Sequence, residues 1–226
     1  MNILLTSRNI LRKVKRTLVD LSKFRARKHL KNRDFTIISN NGTGGYVYQH
    51  YGLEYKTPTA GLLFETGDFL KICKNPRKYF SINPTIIPRE SCKHYNIMKK
   101  LNRWGLYPVG TVEDIEIFFM HYPDENEAIA KWIKRCNRIN YDNMVFLLTE
   151  NEMCTEEHIR EFCSLPIKNK VCLTYQKYDI PGVIYSEEVH TLEGHPWKPE
   201  IVCSILDWTN YLNVVSETRE QKGGKA

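Results

Sequence analysis

Residues 35–52 read FTIISNNGTGGYVYQHYG, and this stretch decides the fold. Apolar, β-favouring residues run into Asn40 and Asn41, then into Gly42, Gly44 and Gly45 around Thr43, then into an aromatic-rich segment. That order is a strand, a tight turn and a helix, the repeating unit of a layered α/β domain. Exposed N–H groups at such a helix start attract phosphate or carboxylate. The competing reading is a turn that needs glycines only for positive φ. Neither standard phosphate motif is present. There is no GxxxxGK[ST], and Val47 stands where the third glycine of GxGxxG belongs.

The rest of the body repeats the alternation. The apolar runs at 115–121, 144–149, 171–174 and 182–185 read as strands, several of them apolar at nearly every position, as strands covered on both faces are. Helices are expected at 67–80, 124–138, 155–164 and 200–214, and a proline-bearing loop at 82–91. The expected fold is a three-layer α/β sandwich with a largely parallel sheet over residues 34–216. A basic amphipathic helix precedes it at 1–33, and a polar, disordered tail follows at 217–226.

Charge is unevenly placed. The 226-residue chain carries +7, but residues 1–33 hold eleven Lys/Arg against Asp20, and the remainder is net negative. In the arm, Ile3, Ile10, Leu11, Val14, Leu18, Leu21 and Phe24 form one helical stripe, and Lys and Arg fill most of the other face. Such a helix suits an anionic membrane surface. Packing on the domain or on a second copy is an alternative, and so is nucleic acid. The body lacks any nucleic-acid recognition pattern, so no nucleic-acid partner is expected. No apolar run is long enough to span a bilayer, and no signal peptide is evident. The seven cysteines are scattered without a CxxC pair, which fits reduced thiols in a cytoplasm and argues against zinc. The expected place is cytoplasmic, peripheral on the inner face of the membrane.

An open parallel sheet binds ligands beyond the carboxyl ends of its strands. That rule selects Ser39, Asn40, Asn41 and the glycine turn, His121 and Tyr122, Thr149 and Glu150, and Thr174 and Tyr175. His121 is the candidate general acid or base, against a role closing a core strand. In WIKRCNRINYDN (132–143), Trp132, Arg135 and Arg138 recur every three residues, so Arg135 and Arg138 are candidates for an anion fork. The remaining histidines show no metal-ligand spacing, and no metal or cofactor is expected.

The blocks DFTIISNNGTGGYVYQHYGLEYKTPTAGLLF, DFLKICKNPRKYF, YPVGTVEDIEIFFMHY, KWIKRCNRINYDN and LPIKNKVCLT occur in this order over residues 34–174. Together they resemble a bacterial family of unknown function found with exopolysaccharide and capsule biosynthesis genes. The resemblance implies a part in surface-glycan biosynthesis. The reaction expected from the site residues themselves is that of a glycan-modifying acyl- or glycosyltransferase, with the loop amides, Arg135 and Arg138 on an anionic activated donor and His121 as base. The family motif is Ser-Asn-Asn-Cys-x-Gly-Gly, and Gly42 stands at its cysteine here. A Cys–His acyl-transfer site is what the family pattern suggests; this chain lacks that thiol. The alternative is a catalytically inactive or non-enzymatic, membrane-associated assembly protein.

Overall fold

The computed structural model describes residues 21–101, 105, 107–189 and 201–223, with side chains up to residue 215. Most of the basic arm, residues 1–20, lies outside the described residues, as do His190 and His195. A helix α1 spans residues 21–29. The quoted stretch then forms strand β1 (Thr36–Ser39) and helix α2 (Thr43–Tyr51).

The turn glycines are needed for close approach rather than for φ. Gly42 has φ −65°, and neither Gly44 nor Gly45 has positive φ. A Cβ on Gly44 would lie 2.8 Å from Ser39 Oγ and 2.9 Å from Ile37 Cγ2, so only glycine lets α2 rest on β1. Positive φ occurs at Gly52, the left-handed cap of α2, at Gly61 and at Gly182.

The helix expected at 67–80 is two helices, α3 (Thr66–Lys74) and α4 (Pro76–Phe80). Pro76 disfavours helical geometry at Asn75, which turns to φ −146° and caps α4 with its side chain. The expected loop at 82–91 contains an edge strand, β2 (Thr85–Ile87), bounded by Pro84 and Pro88. After the short helix α5 (Tyr95–Lys100) come β3 (Val109–Val112) and β4 (Ile115–Phe118). These two form a hairpin closed by Glu113 and Asp114, with Glu113 at φ 53°. The run at 115–121 therefore ends as a strand at Phe118. It belongs to a separate antiparallel sheet, β2-β3-β4, and not to the parallel one.

Helix α6 (Glu125–Cys136) returns the chain to β5 (Met144–Thr149). Helix α7 (Glu156–Ser164), β6 (Lys170–Thr174) and β7 (Val183–Tyr185) follow. The chain closes with α8 (Val202–Ile205) and α9 (Trp208–Gly223), and α9 runs into the segment expected to be a disordered tail.

The main sheet has the order β1-β5-β6-β7, and every pair is parallel. Successive side chains on its strands take opposite faces. Ile38, Phe146, Leu148 and Cys172 meet Phe69, Trp132, Ile159 and Phe162 from α3, α6 and α7. Ile37, Val145, Leu147 and Leu173 meet Val47, Tyr48, Trp208 and Leu212 from α2 and α9. The architecture is thus a three-layer α/β sandwich with the small antiparallel sheet attached. Among the described residues, no helix is long and apolar enough to cross a membrane.

Candidate functional site

Strand order in the main sheet rises along the chain without reversing, so it makes no crevice between strands running apart. The ends of β5 and β6 are accordingly closed by internal bonds. Asn40 bridges to Thr149, accepting from its N–H at 3.0 Å and donating to its carbonyl at 2.9 Å. Glu150, 3% exposed, accepts from the amides of Tyr175 and Gln176 and from the Tyr178 hydroxyl at 2.6 Å. Burial, then the carboxylate of Glu150, pushes the Tyr178 phenol up. Thr149 and Thr43 face a separate void of about 10 Å³, the size of one water.

The turn after β1 is also largely self-satisfied. Ser39 Oγ accepts from Gly44 N–H at 3.2 Å, and Asn41 Oδ1 accepts from Thr43 N–H at 3.0 Å. These are capping bonds, and they occupy two of the amides that an anion cradle would use. Ser39 and Asn40 are fully buried.

A cavity of about 290 Å³ opens beside this turn, at the β1 edge of the sheet. One wall is α2, through Gly42, Gly45, Tyr46 and Gln49. A second is the loop residues Tyr55, Ala60 and Gly61. His121 and Tyr122 form a third, and Glu127, Lys131 and Arg135 of α6 the fourth.

Residues far apart in sequence meet here through the antiparallel sheet. Leu63 and Phe118 exchange two backbone hydrogen bonds of 3.0 Å, and His121 N–H reaches Gly61 O at 3.3 Å. Gly61 has φ +79°, and a Cβ there would lie 3.3 Å from the Tyr122 ring. Glycine therefore both makes the turn and keeps the wall open. His121 is exposed and Tyr122 is buried.

Arg135 and Tyr122 are locked together. Arg135 Nη1 donates to Ala60 O at 2.7 Å and to the Tyr122 hydroxyl, which itself donates to Ala60 O at 2.9 Å. The guanidinium lies over the Tyr55 ring at 5.1 Å. Burial pushes the Tyr122 phenol up, and Arg135 opposes it. Glu127, Lys131 and Arg135 are four residues apart, hence on one face of α6. Asp124 caps that helix, accepting from Glu127 N–H at 2.9 Å.

Of the residues selected from sequence, Gly42, Gly45, His121, Tyr122 and Arg135 line the cavity. Ser39, Asn41, Thr43 and Gly44 build the turn behind it; Asn40, Thr149 and Glu150 brace the sheet. The expected Arg135/Arg138 fork does not form, because α6 ends at Cys136. Arg138 instead pairs with Glu54 at 2.6 Å and donates to Tyr55 O at 3.3 Å. Lys131 supplies the second cation. The four-residue spacing from Glu127 to Lys131 to Arg135 carried that signal; nothing periodic marks Tyr55, Ala60 or Gly61.

Among the described residues, Glu65, Asp68 and His94 offer ligand atoms within 4.8 Å of one another. Their chemistry does not fit a metal. Asp68 is buried and already takes Lys93 Nζ at 2.8 Å, His94 Nε2 at 3.0 Å, the Glu116 amide at 2.9 Å and Lys71 Nζ at 3.2 Å. Burial pushes its carboxyl up, but His94, Lys93 and the Glu116 amide together hold it at about 2. The two ammonium groups take the place a cation would fill. All seven cysteines are free thiols, and none lines the cavity.

The family described as "Domain of unknown function (DUF1919)" matches residues 12–196. An uncharacterized protein of Haemophilus influenzae is 32% identical over 151 residues. The aligned region covers 67% of this chain and 66% of that relative, so the chain spans just under two thirds of the relative's length.

Proposed function

The chain belongs to the DUF1919 family, whose description gives no function; from its cavity, and from the resemblance of its sequence blocks to capsule-associated proteins, we propose that it binds an anionic activated donor and transfers a group to a bacterial surface glycan. The observation that carries this reading is the convergence of Lys131, Arg135 and the start of α2 on one cavity. The amides of Thr43, Gly44 and Gly45 are bonded within the turn, so the attraction for a phosphate rests on the two cations, with only the dipole of α2 beside them. Tyr46 and Tyr55 supply aromatic surface for a ring. At about 290 Å³ the space lies at the small end of ligand cavities, which start at roughly 300 Å³. That suits the phosphorylated sugar or acyl end of a donor.

The chain segment 121–127 also borders a more open cavity of about 520 Å³, lined by Pro123, Asp124, Glu125, Asn126, Ile86 and Tyr107 among others. Two cavities on one segment suit a donor and an acceptor. In this reading the acceptor hydroxyl reaches from the second cavity to His121, which lines the donor cavity, and His121 takes its proton. The acceptor oxygen bonds to the transferred carbon, and the bond to the donor's leaving group breaks. Lys131 and Arg135 hold the departing anion. The proposed setting is the cytoplasmic side of the membrane.

The test is turnover of labelled sugar-phosphate, nucleotide-sugar and acyl donors on surface-glycan acceptors. His121→Ala should lose turnover while keeping donor binding; unchanged turnover would overturn the assignment.

A second reading, binding without catalysis, is favoured by one observation. Gly42 has ordinary helical φ, and an added Cβ would sit 3.4 Å from Gly61 N, in normal contact. The backbone therefore does not require glycine at the position where the resembled pattern would have cysteine. Labelled product formed by Gly42→Cys but not by the native chain would favour this reading.

A further inference from the structure

Helix α1 presents two different faces. Its inner face docks on the domain: Ala26 packs into the α2–α9 core and Leu30, just beyond the helix, is 3% exposed. The junction is fixed by hydrogen bonds. Arg27 Nε donates to His50 O at 3.1 Å, Lys31 N–H to Asn213 Oδ1 at 2.8 Å, and Asn213 Nδ2 to His29 O at 3.0 Å.

The outer face is the end of the apolar stripe. At 100° per residue, Leu21, Phe24, Arg25 and Lys28 cluster about one direction, and Ala26 and Leu30 point the opposite way. Phe24 is 65% exposed and Leu21 52%, the two most exposed large apolar side chains among the described residues. The stripe's described end is therefore not spent on the domain. Arg25, Lys28 and Lys31 beside it are exposed as well.

We propose that this face docks the protein on an anionic lipid surface, with Phe24 and Leu21 entering the acyl boundary and the flanking cations on the headgroups. Charge complementarity selects this occupant. Residues 1–33 hold eleven Lys/Arg against one acid, so a second copy of the same face is repelled. Nucleic acid uses the cations but has no place for two large apolar side chains, whereas a bilayer interface uses both. The inner-face anchors hold the domain close to that surface.

The experiment is co-sedimentation of the full chain with vesicles of phosphatidylglycerol and phosphatidylcholine, against vesicles of phosphatidylcholine alone. Binding is expected only to the anionic vesicles, weakening with salt. Phe24→Glu and Leu21→Glu should each reduce it by about tenfold or more. Both residues are exposed, so unchanged thermal melting will separate lost docking from lost folding. No binding to anionic vesicles, or full binding by both variants, would overturn the proposal. So would a dimer in sedimentation velocity that Phe24→Glu dissociates, or retention of duplex DNA with the same dependence on Phe24. None of these outcomes bears on the donor cavity.

Discussion

Arg135 and Tyr122 share one acceptor: both donate to the carbonyl oxygen of Ala60, and Arg135 also donates to Tyr122. This arrangement ties α6 to the loop that floors the cavity. It also explains why a cation is tolerated against the Tyr55 ring in a partly buried position. Tyr122→Phe removes one arm of the arrangement and should cost about 1–2 kcal/mol, read as a lower denaturation midpoint in urea. Arg135→Lys should not restore an Arg135→Ala loss, because an ammonium cannot reproduce the flat, directed donor set of the guanidinium.

The turn glycines should respond very differently to alanine. At Gly44 the new Cβ meets Ser39 Oγ and Ile37 Cγ2 below 3.0 Å. Both belong to a packed strand, so Gly44→Ala should destabilise by about 1–3 kcal/mol. At Gly42 the nearest atom is 3.4 Å away and the backbone is already helical. Gly42→Ala should change stability by about 0.5 kcal/mol or less. Chemical denaturation of the two variants side by side checks the contrast.

Asp68 sets an acid limit on stability. Its folded pKa of about 2 is below its ordinary value of 3.8. The stabilisation is therefore complete above the ordinary value and is lost as pH falls through the folded one, amounting to about 2 kcal/mol. Unfolding free energy measured from pH 6 down to pH 2 should fall more steeply for the native chain than for Asp68→Asn. The variant should also be weaker at neutral pH, since Lys93 and Lys71 lose their shared partner.

Cys163 stands apart from Cys73, Cys92, Cys136, Cys154 and Cys172. A hydrogen bond from Cys172, with Lys170 nearby, lowers the pKa of half-buried Cys163, whereas burial raises the thiols of Cys73, Cys92, Cys136 and Cys154. Cys163 should be the first to alkylate with iodoacetamide at mildly alkaline pH, and Cys163→Ser should abolish that fast phase. Peptide mass spectrometry of the time course identifies the site.

Much of the sheet was legible in the residues. FTIIS, MVFLLT and VCLT are continuous apolar runs because each strand is covered on both faces, and each is a parallel strand here. The same logic misread IEIFF. Its run is equally apolar, but it pairs locally through a Glu113–Asp114 turn that lacks the usual glycine or asparagine. Placing Thr149 and Glu150 at a ligand site relied on a rule for sheets whose strand order reverses. This order does not reverse, and the buried Glu150 carboxylate is taken up by its own sheet edge. Lys131 was hidden for another reason: the three-residue spacing of Trp132, Arg135 and Arg138 drew attention from the four-residue spacing that α6 presents to the cavity.

The central claim is that the cavity between α2 and α6 takes a phosphate-bearing donor. Isothermal titration of a hexose 1-phosphate into the native chain and into Lys131→Ala tests it most directly. Lys131 is exposed, so its removal should leave the fold intact. Saturable binding that Lys131→Ala weakens by about tenfold, the loss of one charge-assisted contact, is the expected result. Absence of binding, or equal affinity in the two proteins, would contradict the account.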